Sequence, residues 1–522
     1  MNTFELCLEV VVLCALSFTY IKNALHMFQQ NRYELYRYSR WLFDRKNHNF
    51  SVSLIFAGLL AGVCLRFSGF QAVCYVLFLD LIFALYLLYA ESKKTYIKEL
   101  VLTPRVKRQI VCFSILWLIF VLCSMTFIDI WFISIMMMIM PYFFIFLVGA
   151  LTYPMEERIK KGYENEARDI LDTNSNLIKI GITGSYGKTS TKNIITDILS
   201  DHYLTLMTPA SYNTPMGITR TVREMMKPIH EVFVCEMGAD KVDDISYLMD
   251  FVKPKYGIVT SIGPQHLNTF RSMDNIIKEK MNEIEMLPAD GVGFINLDNE
   301  YIRDYEIKNT CRIISVSIDN EDADYRATKI VYSRSGTSFS LKIGKRYYKF
   351  QTALLGKHNV TNTLIGIALG IELGMSVKEI QKAVANIRQV EHRLEIKKIN
   401  GYTFIDDAFN ANPLGSKMSL DVLSMMPERR VIVTPGMIDL GEKEDEINYE
   451  FGTYMKDRAD FVILVGEKQT ECILKGLIDS GFKENGYLVT NNVREAFDYV
   501  YTHFSVNDTI LLENDLPDAF NK

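Results

Sequence analysis

The sequence predicts a multi-domain chain: an N-terminal α-helical transmembrane bundle, then an α/β P-loop ATPase domain, then a C-terminal α/β Rossmann-like domain. Three observations carry this. The long apolar runs fall in the first 150 residues, whereas the remainder mixes charge with short apolar segments. A glycine-bearing turn ending in Gly187, Lys188 and Thr189 lies between a strand-like and a helix-like run. Beyond it, strand-like runs recur at helix-length intervals, as parallel α/β sheets require. The resulting boundaries are 1–153 for the bundle, 154–175 for a charged connector helix, 176–390 for the first α/β domain and 391–522 for the second.

Composition narrows the classes. A chain of 522 residues exceeds one hydrophobic core. A net charge of -5 excludes a basic nucleic-acid binder, and 12% aromatic residues against 23% charged ones exclude a disordered chain. None of the nine cysteines forms a CxxC pair, so neither a disulfide framework nor a structural zinc site is expected.

The bundle is read from five stretches, at 4–24, 51–68, 70–90, 109–128 and 130–150. Each approaches the length that about 30 Å of hydrocarbon needs at about 1.5 Å per residue. The first loop carries Lys22, Arg32, Arg37, Arg40, Arg45 and Lys46, and the third carries Lys93, Lys94, Lys98, Arg105, Lys107 and Arg108. Basic loops face the cytoplasm. The expectation is therefore a multi-pass cell-membrane protein with its N-terminus outside, its α/β domains in the cytoplasm and membrane lipid as a partner. Asp80, an acid inside the third stretch, is a functional candidate by position.

The first α/β domain opens with LIKIGITGSYGKTSTKNIITDILS. Ile178, Ile180 and Ile182 alternate as a strand does, and Ile194, Ile195, Ile198 and Leu199 recur at helical spacing. Between them Gly184, Ser185 and Gly187 form a turn whose amides can point at phosphate oxygens. Lys188 is placed to reach the β/γ-phosphates, and Thr189 or Ser190 to offer a hydroxyl to Mg²⁺. The general phosphate-loop pattern wants glycine where Ile182 stands; the glycines here are Gly181 and Gly184. Strand-like runs follow at 232–236, 256–262, 431–436, 461–466 and 509–513, while 311–352 looks like antiparallel hairpins.

TGSYGKTSTK resembles the shortened phosphate loop of the Mur ligase family, and the resemblance covers residues 176–522. In family order come TPASYNTPMG (208–217), CEMGAD (235–240), TSIGPQHL (260–267), IIKEKMNEIEMLPADG (276–291), GKHNVTN (356–362), HRLE (392–395) and IDDAFNANP (405–413). The last of these and LPADG are most similar to the branch that joins UDP-N-acetylmuramoyl-tripeptide to D-alanyl-D-alanine. The resemblance implies an ATP-dependent ligase that uses Mg²⁺. Its partners would be a cell-wall precursor carboxylate and the amine of a D-amino acid or dipeptide, joined through an acyl phosphate.

Residue roles follow in the same terms. Glu236 ends an apolar strand at the usual ligand edge of an α/β sheet; the resemblance makes it a Mg²⁺ ligand, against the plain reading of a solvated strand end. His266 is placed likewise at a second Mg²⁺ site. Lys280 aligns with the lysine that the family converts to a carbamate, which requires a neutral amine favoured by burial; Lys278 is the neighbouring alternative. Asn359 and Asn362 fall at the adenine, although helix capping also accounts for Asn359. Arg393 and Asp407 fall at the ATP phosphates and ribose, and Asn410 and Asn412 at the amino-acid substrate, with Phe409 where the branch has tyrosine. Asn213 is a substrate-contact candidate.

The branch begins with a soluble domain for the UDP moiety, which this sequence replaces by the apolar region. Three functions therefore stay open: ligation of a nucleotide- or lipid-linked wall precursor, ligation of another polymer, or a nucleotide-gated transporter or receptor.

Overall fold

The structure is a computed structural model describing residues 21–43, 53–61, 75, 78–79, 82–83, 85–86, 89, 100–127, 130–265, 267–333, 335–389, 394–408, 413–437, 440 and 443–514. His266, Arg393, Asn410 and Asn412 lie outside the described residues, as do Asp80, Phe409 and most of the stretches expected at 4–24, 51–68 and 70–90. The chain divides into two compact units, Met1–Gly162 and Tyr163–Lys522.

The first unit is helical, with α1 (Leu35–Leu42), α2 (Pro104–Phe127) and α3 (Ile130–Thr173), the last continuing past the unit's end. Among the described residues no helix is long and apolar enough to cross a membrane. That finding overturns the transmembrane bundle, and with it the multi-pass membrane placement and the membrane-lipid partner. Two physical reasons stand out. Large apolar side chains here pack on one another: Phe28, Tyr38, Phe113, Trp117, Tyr142 and Ile145 form one buried cluster. The helices also carry charge: α2 begins with Arg105, Lys107 and Arg108, and α3 runs from its apolar half straight into a charged one. Arg108 makes a bidentate pair with the buried Glu156, both contacts 2.7 Å. Val111, Ile115, Leu118 and Ile119 of α2 remain exposed.

The second unit is built on two sheets. The first holds β1 (Ile178–Thr183), β2 (Thr205–Met207), β3 (Val232–Glu236), β4 (Tyr256–Val259), β5 (Val292–Asn296), β6 (Arg312–Ser317), β7 (Tyr325–Ser333), β8 (Gly336–Ile343) and β9 (Arg346–Thr352). Their spatial order is β2-β3-β1-β4-β5-β6-β7-β8-β9. Pairing is parallel as far as β7 and antiparallel from β7 to β9. Antiparallel pairing thus begins later than the 311–352 reading placed it. β6 is buried along Ile314–Ser317, as a strand covered on both faces is, and belongs with the parallel set.

Helix α4 (Lys188–Ser200) covers one face of this sheet and packs on α5 (Lys357–Glu372), two helices joined by Ile194, Ile195, Ile198, Leu364, Ile365 and Leu369 in one core. Gly366 makes the close approach possible, since a Cβ there would stand 2.7 Å from Ile198. Each such fully buried aliphatic side chain contributes about 1.5–3 kcal/mol.

The second sheet has the order β10-β11-β15-β12-β13-β14. Its strands are β10 (Glu395–Ile399), β11 (Tyr402–Asp407), β12 (Arg430–Thr434), β13 (Phe461–Val465), β14 (Tyr487–Thr490) and β15 (Thr509–Glu513). Only β10 runs antiparallel. In the first sheet β1 lies between β3 and β4, so the chain leaves it in opposite directions. The crevice at such a switch point is where α/β sheets bind ligands.

Candidate nucleotide site

The phosphate loop occupies that switch point. Gly184 (φ 148°) and Gly187 (φ 83°) turn the chain from β1 into α4. A Cβ on Gly184 would stand 2.1 Å from the Thr260 hydroxyl, so a side chain there would push the loop off the strand beside it. Gly187 is left-handed and caps α4 without a side-chain hydrogen bond. The first amides of the helix are therefore open to an anion, where the helix dipole favours one.

Side chains fix the loop from below. The Ser185 amide donates to Ser261 O (2.7 Å), and its hydroxyl donates to Gly263 O (3.0 Å) while accepting from Gly263 N (3.1 Å). Thr260 Oγ1 donates to Tyr186 O (2.6 Å), and the Tyr186 phenol donates to Pro264 O (3.0 Å). Asn296 and Asn299 hold the same segment by donating to Thr260 O (3.0 Å) and Ile262 O (2.9 Å). The Ser185 hydroxyl thus works as a brace. Lys188 Nζ donates to Gly184 O (2.6 Å) and Ser185 O (3.2 Å), which places its ammonium over the loop.

Beside the loop opens a cavity of about 500 Å³, lined by Gly187, Ser190, Asn359, Asn362, Asp407 and Met425 among others. Asn362 carries the clearest sign of a ligand. Its buried Nδ2 has no hydrogen-bond partner, and its Oδ1 lies 3.6 Å from where a Cβ on Gly187 would stand. A buried donor left unmatched costs about 1–3 kcal/mol, which a ligand acceptor would recover. Asn359 does not cap α5; Gly356 does, and Asn359 Nδ2 donates to Leu355 O at 2.8 Å. Asp407 is buried, accepts from Leu394 N (3.1 Å), and stands opposite Glu513 in the β11–β15 register. Burial, and then the Asp407 charge, push the Glu513 carboxyl well above its ordinary range.

Glu236 is no solvated strand end. It is 1% exposed, its Oε2 lies 3.0 Å from Lys192 Nζ, and its Oε1 accepts from Asn213 Nδ2 at 3.0 Å. Asn213, expected to meet substrate, gives one amide hydrogen to Glu236. Lys192 was not anticipated, although its place one helical turn after Lys188 and one turn before the buried Ile195 was a readable signal.

Lys280 lies on the helix Met273–Glu285 and is 2% exposed, whereas Lys278 is exposed. Burial, and then the Lys188 charge, lower the Lys280 ammonium to about 7; Glu279, Asp240 and Asp244 oppose this. One turn on, Glu283 is completely buried with neither oxygen hydrogen-bonded. Burial raises its carboxyl to about 8, against the pull of Lys280.

One cavity therefore gathers Gly187, Ser190, Asn359, Asn362 and Asp407, while Thr189, Glu236 and Lys280 stand outside its lining. Among the described residues no group of three or more His, Cys, Asp or Glu is placed to hold a metal. Mg²⁺ needs no such cage, because it binds through one or two carboxylates, waters and substrate phosphates. The hydroxyls of Thr189 and Ser190 and the Glu236 carboxylate are oxygen donors of that kind, so the residues present fit the ion.

Comparison with known proteins agrees with this geometry. Residues 182–370 match the Mur ligase middle domain, and residues 392–513 match the Mur ligase glutamate ligase domain. The chain belongs to the Mur ligase family. As a member it is an ATP-dependent ligase with ATP and Mg²⁺ as cofactors. It is 27% identical over 314 residues to the UDP-N-acetylmuramoyl-tripeptide--D-alanyl-D-alanine ligase of Escherichia coli, covering 60% of this chain and 69% of that one. To the Bacillus subtilis ligase of the same name it is 30% identical over 292 residues, covering 55% and 62%. The chain thus spans roughly two thirds of the length of these curated relatives, and residues before 182 lie outside both family matches. A crystal structure of MurF from Acinetobacter baumannii is 25% identical with a TM-score of 0.60, covering 68% of this chain and 78% of that one. MurF from Thermotoga maritima, solved in complex with ADP, shares the fold at 22% identity with the same TM-score, covering 68% and 80%.

Proposed function

We propose that this Mur ligase joins D-alanyl-D-alanine to the tripeptide carboxylate of a UDP-N-acetylmuramoyl-tripeptide. The observation that carries the reading is the phosphate loop opening on a cavity whose Asn362 amide lacks a partner, in a chain similar to ligases of that name.

In this reading Gly184, Gly187 and the first amides of α4 receive the triphosphate, with Lys188 over the β/γ-phosphates. Asn359 and Asn362 take the adenine and Asp407 the ribose, joined by Arg393. An oxygen of the acceptor carboxylate attacks the γ-phosphorus; the bond to ADP breaks and an acyl phosphate forms. The amine nitrogen of the dipeptide then attacks that carbonyl carbon, loses a proton and expels phosphate. Bound Mg²⁺ would supply charge neutralisation, through Thr189 or Ser190, Glu236, His266 and a carbamate on Lys280. Lys280 suits that modification because its lowered proton affinity leaves a neutral amine near neutral pH. Asn213, Asn410 and Asn412 serve the acceptor and the amine, and holding both in line supplies the remaining acceleration.

The test is ADP release from purified full-length chain with ATP, Mg²⁺, UDP-N-acetylmuramoyl-tripeptide and D-alanyl-D-alanine. Release that requires both substrates is expected. Release requiring neither, or no turnover with this pair while another carboxylate and amine react, would overturn the reading.

A further inference from the structure

We propose that Lys192 is a positioning residue that ties the phosphate-loop helix to the loop at 208–214 through Glu236. The inference rests on the ligase reading above for the assignment of that loop, with Asn213, to the acceptor side.

Lys192 is 1% exposed on α4, one turn after Lys188. Its Nζ lies 3.0 Å from Glu236 Oε2 and also donates to the carbonyl of Ala210. Ala210 has φ 44°, a left-handed conformation that an alanine holds only when its surroundings impose it. The Lys192 ammonium on its carbonyl is one such constraint. The loop is fastened at two further points. Glu236 N donates to Thr208 Oγ1 (3.0 Å), and Asn213 bridges Glu236 Oε1 and Gly238 N, at 3.0 and 2.8 Å. Gly238 is required there, since a Cβ would stand 2.7 Å from the Asn213 side chain.

The geometry makes Glu236 a hub with one oxygen turned to the helix and one to the loop. A carboxylate has about four lone-pair positions, and these two contacts fix its orientation while leaving others for further ligands. Buried ion pairs add little net stability, because desolvation roughly offsets attraction. What this pair adds is a fixed distance between the end of the nucleotide-binding helix and Ala210. Lys192 touches neither reacting group; it acts through Glu236 and the loop.

The test uses the full chain carrying Lys192→Met. Amide hydrogen exchange, without substrates, should speed up at 208–214 and Glu236–Gly238. ATP affinity, titrated without Mg²⁺ so that Glu236 carries no ion, should stay within about twofold, while KM for UDP-N-acetylmuramoyl-tripeptide rises about tenfold or more. A lysine serving stability alone would lower Tm without that split. Unchanged exchange at 208–214, or loss of ATP affinity equal to the loss for the acceptor, would overturn the proposal. If Lys192→Met does not fold, Lys192→Met/Glu236→Gln removes the stranded charge, and the same exchange measurement decides. The exchange arm needs no acceptor. Failure of the wild-type chain to use this acceptor would therefore count against the substrate reading and not against Lys192.

Discussion

Two buried carboxyl groups flank the same strands and could hardly be treated more differently. Glu236, at the end of β3, has both oxygens matched, by Lys192 and Asn213. Glu283, on the helix over β1, has neither matched, and Lys280 one turn before it is held near neutrality. The contrast separates two uses of burial. A matched carboxylate is locked in one orientation and can serve as a fixed reference point. An unmatched group is destabilised in its charged form and is thereby ready to change protonation or to be modified.

Lys188 is the strongest place to break the contrast. Lys188→Ala removes the ammonium over the phosphate loop and should abolish ADP release, by about a thousandfold or more, while the thermal melt stays close to wild type. It also removes a positive neighbour of Lys280, whose proton affinity should then rise. Retained turnover would exclude this loop as the phosphate site.

Next comes Lys280→Ala. If a carbamate on Lys280 supplies an anion, turnover should fall by about two orders of magnitude or more and be partly restored by a small carboxylate such as acetate. Failure of rescue would leave Lys280 as a buried amine with no ligand role.

Stability sharpens the other side of the contrast. Lys192→Met strands the Glu236 carboxylate and should cost about 3–5 kcal/mol in urea unfolding at pH 7. A cost below about 1 kcal/mol would mean that Glu236 finds another partner and is not locked by Lys192.

Which parts of this were legible in sequence follows from range. The phosphate loop is contiguous, so Gly184 to Ser190 could be read from spacing, and so could the buried β1 and α4 around it. Lys280 was preferred to Lys278 through resemblance and its spacing from LPADG; Lys280 is buried and Lys278 exposed, and both the choice and the modification stay proposals. The Lys192–Glu236–Asn213 hub joins residues up to 44 positions apart, and no local pattern reports such a meeting. The wall that Met425 adds to the cavity depends on how the two sheets meet. The apolar N-terminal region misled for a related reason. Hydropathy counts apolar residues, but it does not tell side chains packed on one another, as Phe113 and Trp117 are, from those facing lipid.

Glu283 gives an effect that depends on pH, and its sign can be worked out. Its folded value of about 8 lies above its ordinary 4.5. Its stabilising contribution is therefore fully present below about pH 4.5 and is lost as pH rises through about 8, at most about 1.4 kcal/mol per pH unit. Glutamine has the same shape and stays neutral, so Glu283→Gln should match wild type at pH 5 and be more stable at pH 8.5. Lys280 runs the other way: its folded value of about 7 means that its penalty eases as pH rises from there towards 10.5. Lys280 is present in both chains, so the difference between them reports Glu283 together with its coupling to Lys280. Melting temperatures at the two pH values provide the check. A difference that does not change with pH would show that Glu283 has a partner in solution, and the contrast with Glu236 would then disappear.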